Sequence, residues 1–214
     1  MTTMKNLSDY KTWIFDLDGT LYHQKPVRIE MALRLLFHYL IRPFKFRELL
    51  MLRDYRLLRE QRFKAEETDF QKSQIAEIAQ RYNTNTAAVE KIVDFWLIQK
   101  PLKVLKRWCR DKVLSAIKTQ QAKGTTIIVY SDYPVAEKLQ ALELQPNYSF
   151  WSSDNLIRCM KPDSKGLKNI LKHLKLNPAE VLYVGDRDDR DGLCASGAGV
   201  DYLDINNFEK IFLR

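Results

Sequence analysis

Five short β-branched or aromatic runs punctuate the chain: Thr12 to Phe15, Thr125 to Tyr130, Tyr148 to Trp151, Val181 to Val184 and Asp201 to Leu203. Each is bounded by turn chemistry, as strands are. Helical patterns lie between the later ones. Asp111 to Lys123 is amphipathic and stops at Gly124, a suitable left-handed terminating residue. Pro134 to Leu144 opens with proline in its first turn, and Asp163 to Leu174 follows Pro162. Parallel strands need long crossovers, usually helical, whereas antiparallel ones can be joined by tight hairpins. The alternation therefore predicts an α/β fold with a parallel sheet covered on both faces.

The stretch from about Tyr22 to Trp108 breaks this rhythm. Val27 to Ile41 carries apolar residues at helical spacing and is expected to end at Pro43. Phe44 to Phe63 continues with Leu49, Leu50, Leu52, Leu57 and Leu58. Thr68-Asp69-Phe70-Gln71 reads as a capping box before Ile75, Ile78 and Tyr82. A last helix is predicted from Thr86 to Gln99, with Pro101 after it. None of the seven glycines falls in this stretch, as suits packed helices. The expected division is a core of residues 1–21 and 109–214 and an all-helical insertion of residues 22–108.

Four polar clusters end the strand-like runs or follow them closely. Asp16-Leu17-Asp18-Gly19 comes directly after Trp13-Ile14-Phe15, and Gly19 lets the backbone leave the strand abruptly. Ser131-Asp132 ends the second run. Lys161-Pro162 precedes a helix, and Gly185-Asp186-Arg187-Asp188-Asp189-Arg190-Asp191 ends the fourth run. Open α/β sheets place their chemistry at the carboxyl ends of strands. A carboxylate pair, a hydroxyl, a lysine and a second acidic loop make a coherent set for phosphoryl transfer. A carboxylate approaches a phosphate dianion only when charge is masked, which Mg²⁺ with hard oxygen ligands does. Asp16 and Asp186 are the expected ligands, with Asp191 completing the shell; Asp189 is the alternative at that last position. Asp16 is the expected nucleophile, and Asp18 the acid and base. Lys161, Ser131, Asp132 and nearby backbone N–H groups are expected to bind the transferring phosphate.

Together the Asp16-Leu17-Asp18-Gly19-Thr20, Val129-Tyr130-Ser131, Lys161-Pro162 and Gly185-Asp186…Asp191 motifs resemble those of the haloacid dehalogenase-like hydrolase superfamily. The resemblance covers roughly residues 8–21 and 110–214. It implies a three-layer Rossmann-like core, Mg²⁺ as the metal, and the backbone carbonyl of Asp18 as a further metal ligand. From Asp18 to Ser131 is 131 − 18 = 113 residues, room for a helical cap after the first motif. That layout resembles phosphoglycolate phosphatase and β-phosphoglucomutase. Dehalogenases and phosphonate hydrolases of the family lack an acid at the position of Asp18, so its presence favours a phosphate monoester. Phosphatase is the expected activity. A phosphomutase, or a non-catalytic phosphate- or partner-binding module on the same fold, stands beside it.

The net charge is +8. Residues 22–62 hold ten Lys/Arg and four acids, and the difference, 10 − 4 = +6, supplies most of it, with aromatic residues interleaved. Three readings fit: a solvated helix face with arginine stems over apolar neighbours, attraction of a multiply anionic or lipid-linked phosphate substrate or an anionic membrane surface, and nucleic-acid binding. No nucleic-acid motif accompanies the last. No apolar run reaches the roughly 20 residues that span a bilayer, and the start lacks the apolar region of a secretory signal. The three cysteines, Cys109, Cys159 and Cys194, are scattered, so a reducing cytoplasm is expected.

Overall fold

A computed structural model describes residues 9–62 and 70–212, without the side chains of 59–62, 70 and 71. The Thr68-Asp69 part of the expected capping box, and Phe63, lie outside the described residues.

Five strands form one parallel sheet: β1 (Thr12–Phe15), β2 (Thr126–Ser131), β3 (Tyr148–Trp151), β4 (Val181–Gly185) and β5 (Asp201–Asp204). Their order is β3-β2-β1-β4-β5. β1 is therefore central, with Phe15 level with Val129 on one side and Val184 on the other. The three inner strands are buried along nearly their whole length, whereas the edge strands β3 and β5 are half open. This is why the inner strands read as continuous apolar runs.

The chain divides into two units, one of Met1–Gln24 with Arg107–Arg214 and the other of Lys25–Lys106. The inserted unit holds α1 (Gln24–Leu40, whose first residue belongs to the sheet unit), α2 (Phe46–Arg62), α3 (Phe70–Arg81), α4 (Thr86–Val93) and α5 (Lys100–Leu105). Asn85 caps α4 by accepting from the Ala88 N–H at 2.8 Å. Pro101 does not end this last helical segment. A wide π turn, Asp94–Gln99, joins α4 to α5, with the Lys100 N–H reaching back to the Phe95 carbonyl. That places Pro101 in the first turn of the next segment, where its missing N–H is tolerated.

The sheet unit continues with α6 (Asp111–Ala122), α7 (Ala136–Ala141), α8 (Lys165–His173), α9 (Leu193–Gly197) and α10 (Ile205–Phe212). α7 is shorter than the expected Pro134 to Leu144, because the backbone turns left-handed at Glu143 (φ 52°). Side chains alternate across the sheet. Trp13 and Phe15 point to one face and meet Phe208 of α10 edge-on at 5.5 and 5.6 Å. Ile14, Ile128, Tyr130 and Tyr183 point to the other and pack with Leu167, Ile170 and Leu171 of α8 and with Cys194 of α9. Among the described residues, no helix is long and apolar enough to cross a membrane.

Candidate active site

The site is built at the carboxyl ends of β1, β2 and β4. The ladder runs one residue past β1, with the Asp16 N–H donating to the Val184 carbonyl at 2.9 Å. Asp16 follows Ile14 by two positions and so takes the Ile14 side of the sheet, above Tyr130 and Tyr183. There its carboxylate is buried, at 5% exposure for the residue. One oxygen accepts from Lys161 Nζ at 2.5 Å and the other from the Thr20 hydroxyl at 3.1 Å.

Lys161 is the organising cation. Its ammonium donates also to Asp191 Oδ1 at 2.6 Å and to the Tyr183 hydroxyl at 3.1 Å. It lies 5.5 Å from the Tyr130 ring centre and 5.7 Å from that of Tyr183. Burial opposes its charge, but Asp16, Tyr183 and Asp191 outweigh that and hold it well above the ordinary lysine value. Its position depends on Asp132, whose carboxylate accepts from the Lys161 N–H at 2.9 Å and pairs with Arg190 at 3.2 Å. Arg190 in turn donates to the Lys161 carbonyl at 2.9 Å. Asp132 thus turns its side chain to the lysine loop. Ser131 is buried, and its hydroxyl oxygen accepts from the Tyr133 N–H at 3.2 Å.

Asp16, Asp186 and Asp191 each bring a carboxylate oxygen within 4.8 Å of the others. Two glycines permit the approach. Gly19 has φ +105°, and a Cβ there would lie 2.1 Å from Asp186 Oδ2. A Cβ on Gly185 would lie 2.5 Å from Asp191 Cβ. The same loop sets Asp189 and Asp191 apart. Asp191 is buried, whereas Asp189 points outward to Arg187 at 2.7 Å. Burial, with Asp191 and Asp18 adding to it against Lys161, raises Asp16 to about 8. Burial and Asp191 raise Asp186 to about 6. Ionising the whole cluster beside the single ammonium of Lys161 is therefore unfavourable.

Asp18 stands apart from the three-acid group. Lys138 Nζ donates to both its oxygens, at 2.6 and 2.7 Å, and the Tyr22 hydroxyl donates to Oδ1. Lys138, on α7, is missed by sequence reasoning. It lies 120 residues from Asp18, and its motif neighbours Ser131 and Asp132 give no sign of it. The chain around Tyr22 is fixed by its return partner: the Arg110 N–H donates to the Leu21 carbonyl at 3.0 Å, and the His23 N–H to that of Trp108 at 2.8 Å.

A family model described as haloacid dehalogenase-like hydrolase matches residues 13–205. No curated protein sequence matches the chain. Among solved structures, a 2-haloacid dehalogenase of Pseudomonas syringae is similar at TM-score 0.63 and 19% identity, over 90% of this chain and 85% of that one. A Bacillus subtilis protein described as a HAD hydrolase, solved with magnesium bound, is similar at 0.63 and 17%, over 95% and 97%. A Thermotoga maritima protein described as a β-phosphoglucomutase is similar at 0.52 and 16%, over 88% and 82%. At such identities the likeness is one of fold.

Proposed function

The chain belongs to the haloacid dehalogenase-like hydrolases, and we propose that within them it is a Mg²⁺-dependent phosphatase acting on a phosphate monoester through an aspartyl-phosphate. The observation that carries this reading is Asp18. Its carboxylate is held by Lys138 and Tyr22, two residues after Asp16 and outside the three-acid group. Displacing a halide needs no proton donor, whereas an ester oxygen departs as an alkoxide unless one is at hand.

The acids of the cluster fit a hard divalent cation. Three carboxylates converge, two of them pushed towards their neutral forms by burial, and no softer donor stands among them. Asp16, Asp186 and Asp191 would hold Mg²⁺, with the Asp18 carbonyl as the further ligand that the family resemblance implies. When bound, the ion masks the charge of the phosphate and of the acids around it.

The chain's own groups then act in order. A carboxylate oxygen of Asp16 attacks phosphorus, and the bond to the ester oxygen breaks as the new one forms. The departing oxygen takes a proton from Asp18, which enters this step as the carboxylic acid and leaves it as the carboxylate. Water next attacks the same phosphorus and gives a proton back to Asp18, the bond to Asp16 breaks, and phosphate leaves. Lys161 offsets charge on the transferring oxygens, and Thr20 keeps the Asp16 carboxylate in its rotamer.

The test is phosphate release from a panel of monoesters in Mg²⁺ and in EDTA, with 2-haloacids assayed for halide in parallel. Phosphate release that needs Mg²⁺ and is abolished by Asp16→Asn is expected. Halide release without phosphate release would overturn the proposal, as would activity in EDTA. Net phosphate release, rather than isomerisation of a phosphosugar, separates a phosphatase from a mutase.

A further inference from the structure

Along α1, Ile29, Leu33, Leu36, Phe37 and Leu40 follow the i, i+4, i+7, i+8, i+11 spacing that shares one side of a helix. Each is between 61% and 73% exposed. The opposite side, with Val27, Met31 and Tyr39, is buried. Tyr39 is fixed there by its hydroxyl, which donates to Glu48 at 3.2 Å, and by the Trp96 ring at 6.0 Å. α1 is therefore apolar on two sides, one packed and one open. Phe44 follows in the short Pro43–Lys45 turn and is 99% exposed. Scattered surface leucines need no explanation, but a row of large apolar side chains along one helix marks a contact surface.

Charge selects what the surface meets. Over Lys25–Lys106 the sequence holds 17 Lys/Arg and 10 Asp/Glu, so 17 − 10 = +7 of the chain's +8 resides in the inserted unit. Lys25 and Arg28 lie in the first turns of α1, and Arg42 and Lys45 flank Phe44. An apolar ridge rimmed by cations matches an anionic bilayer: apolar side chains enter the boundary between headgroups and acyl chains, while lysine and arginine stay at the phosphates. A second copy fits less well, because a two-fold contact would bring two strongly positive faces together.

We infer that α1 and the Pro43–Lys45 turn form a docking surface for an anionic phospholipid bilayer, with Leu40 and Phe44 as inserting side chains. Docking of this kind suits an enzyme whose phosphorylated substrate resides in or at a membrane.

The experiment is vesicle flotation of the full chain with phosphatidylcholine alone and with added phosphatidylglycerol, at low and high salt. Three proteins are compared: wild type, Leu40→Glu/Phe44→Glu and Lys25→Glu/Arg28→Glu. Circular dichroism checks folding, which both pairs are expected to leave intact because the altered side chains face solvent. Wild type is expected to float only with the anionic vesicles and to detach as salt rises. The apolar double variant should weaken binding by about tenfold or more, since each lost insertion removes the burial of a large apolar side chain. The charge pair should weaken it at low salt and leave little further salt dependence. Absence of wild-type binding would overturn the inference, as would undiminished binding by the apolar variant. A wild-type dimer that the apolar variant splits would assign the face to a second copy and overturn it equally.

Discussion

The Lys161 ammonium lies 2.5 Å from Asp16 Oδ1, joining residues 145 positions apart at the centre of the buried cluster. The same ammonium holds Asp191 at 2.6 Å. Lys161→Met would leave the buried Asp191 carboxylate without its cation, and Asp16 too where it is ionised, a loss of about 3–5 kcal/mol for a broken buried pair. Urea unfolding in EDTA should show that drop, and Mg²⁺ should restore part of it. Phosphatase activity should be lost in both conditions. A variant as stable as wild type in EDTA would contradict the role given to this contact.

The raised acids make a pH signature. Asp16 at about 8 and Asp186 at about 6 keep their protons in the folded, metal-free chain above the ordinary carboxyl value of 3.8. Over that window the unfolded chain binds fewer protons than the folded one, so stability without metal falls as pH rises from about 4 to about 8. Lys161, raised instead, contributes fully throughout this window and declines only above its ordinary 10.5. Mg²⁺ needs the acids ionised, so its stabilisation should grow with pH over the same range. Thermal denaturation in EDTA and in Mg²⁺ across these pH values measures both trends. A Mg²⁺ increment that does not change with pH would show that these carboxyls are not its ligands.

How much was legible in the sequence depended on how local each cause is. β1 and β3 have the limits that their residue runs predict, because a short apolar run bounded by turn residues is a local signal. The convergence of Asp16, Asp186 and Asp191 was legible too, since parallel strands side by side bring their carboxyl ends together. The π turn at Asp94–Gln99 was not: over six residues its wider spacing leaves nearly the same apolar pattern as an α-helix, and Pro101 looks like a terminator. The exposed side of α1 escaped for the opposite reason. Its leucines satisfy helical periodicity on both sides, and only packing shows which side is buried. That Asp132 also holds the Lys161 N–H and Arg190 is a tertiary matter with no local sign in the sequence.

Lys138 should act through Asp18. It donates to both oxygens, and the pair is partly exposed, at 18% and 11% for the two side chains. A pair this shielded lies between an exposed one, worth about 1 kcal/mol or less, and a buried one, whose breaking costs about 3–5 kcal/mol. Lys138→Met is therefore expected to lower the melting temperature by a few degrees while lowering kcat/KM about tenfold, the cost of losing one positioning contact. Asp18→Asn should remove far more activity, and adding Lys138→Met to it should cost little further, because the lysine then has no carboxylate to orient. A double-mutant cycle in kcat/KM measures this coupling. Additive losses would mean that Lys138 serves some group other than Asp18.

Gly19 is the position where fold and chemistry leave least room. Its φ of +105° is one that residues with a Cβ rarely adopt, and the added carbon would fall 2.1 Å from Asp186 Oδ2. Gly19→Ala must therefore both strain the turn, at about 1–3 kcal/mol, and drive the Asp186 carboxylate away from Asp16 and Asp191. Gly124 provides the control. Its φ is +96°, yet a Cβ there meets nothing within 4 Å, so Gly124→Ala has the strain without the collision. Both variants should lose stability in EDTA, Gly19→Ala at least as much as Gly124→Ala. Gly19→Ala alone should lose the stabilisation by Mg²⁺ and with it phosphate release. Equal responses of the two variants to Mg²⁺ would mean that the Gly19 turn does not shape the metal site.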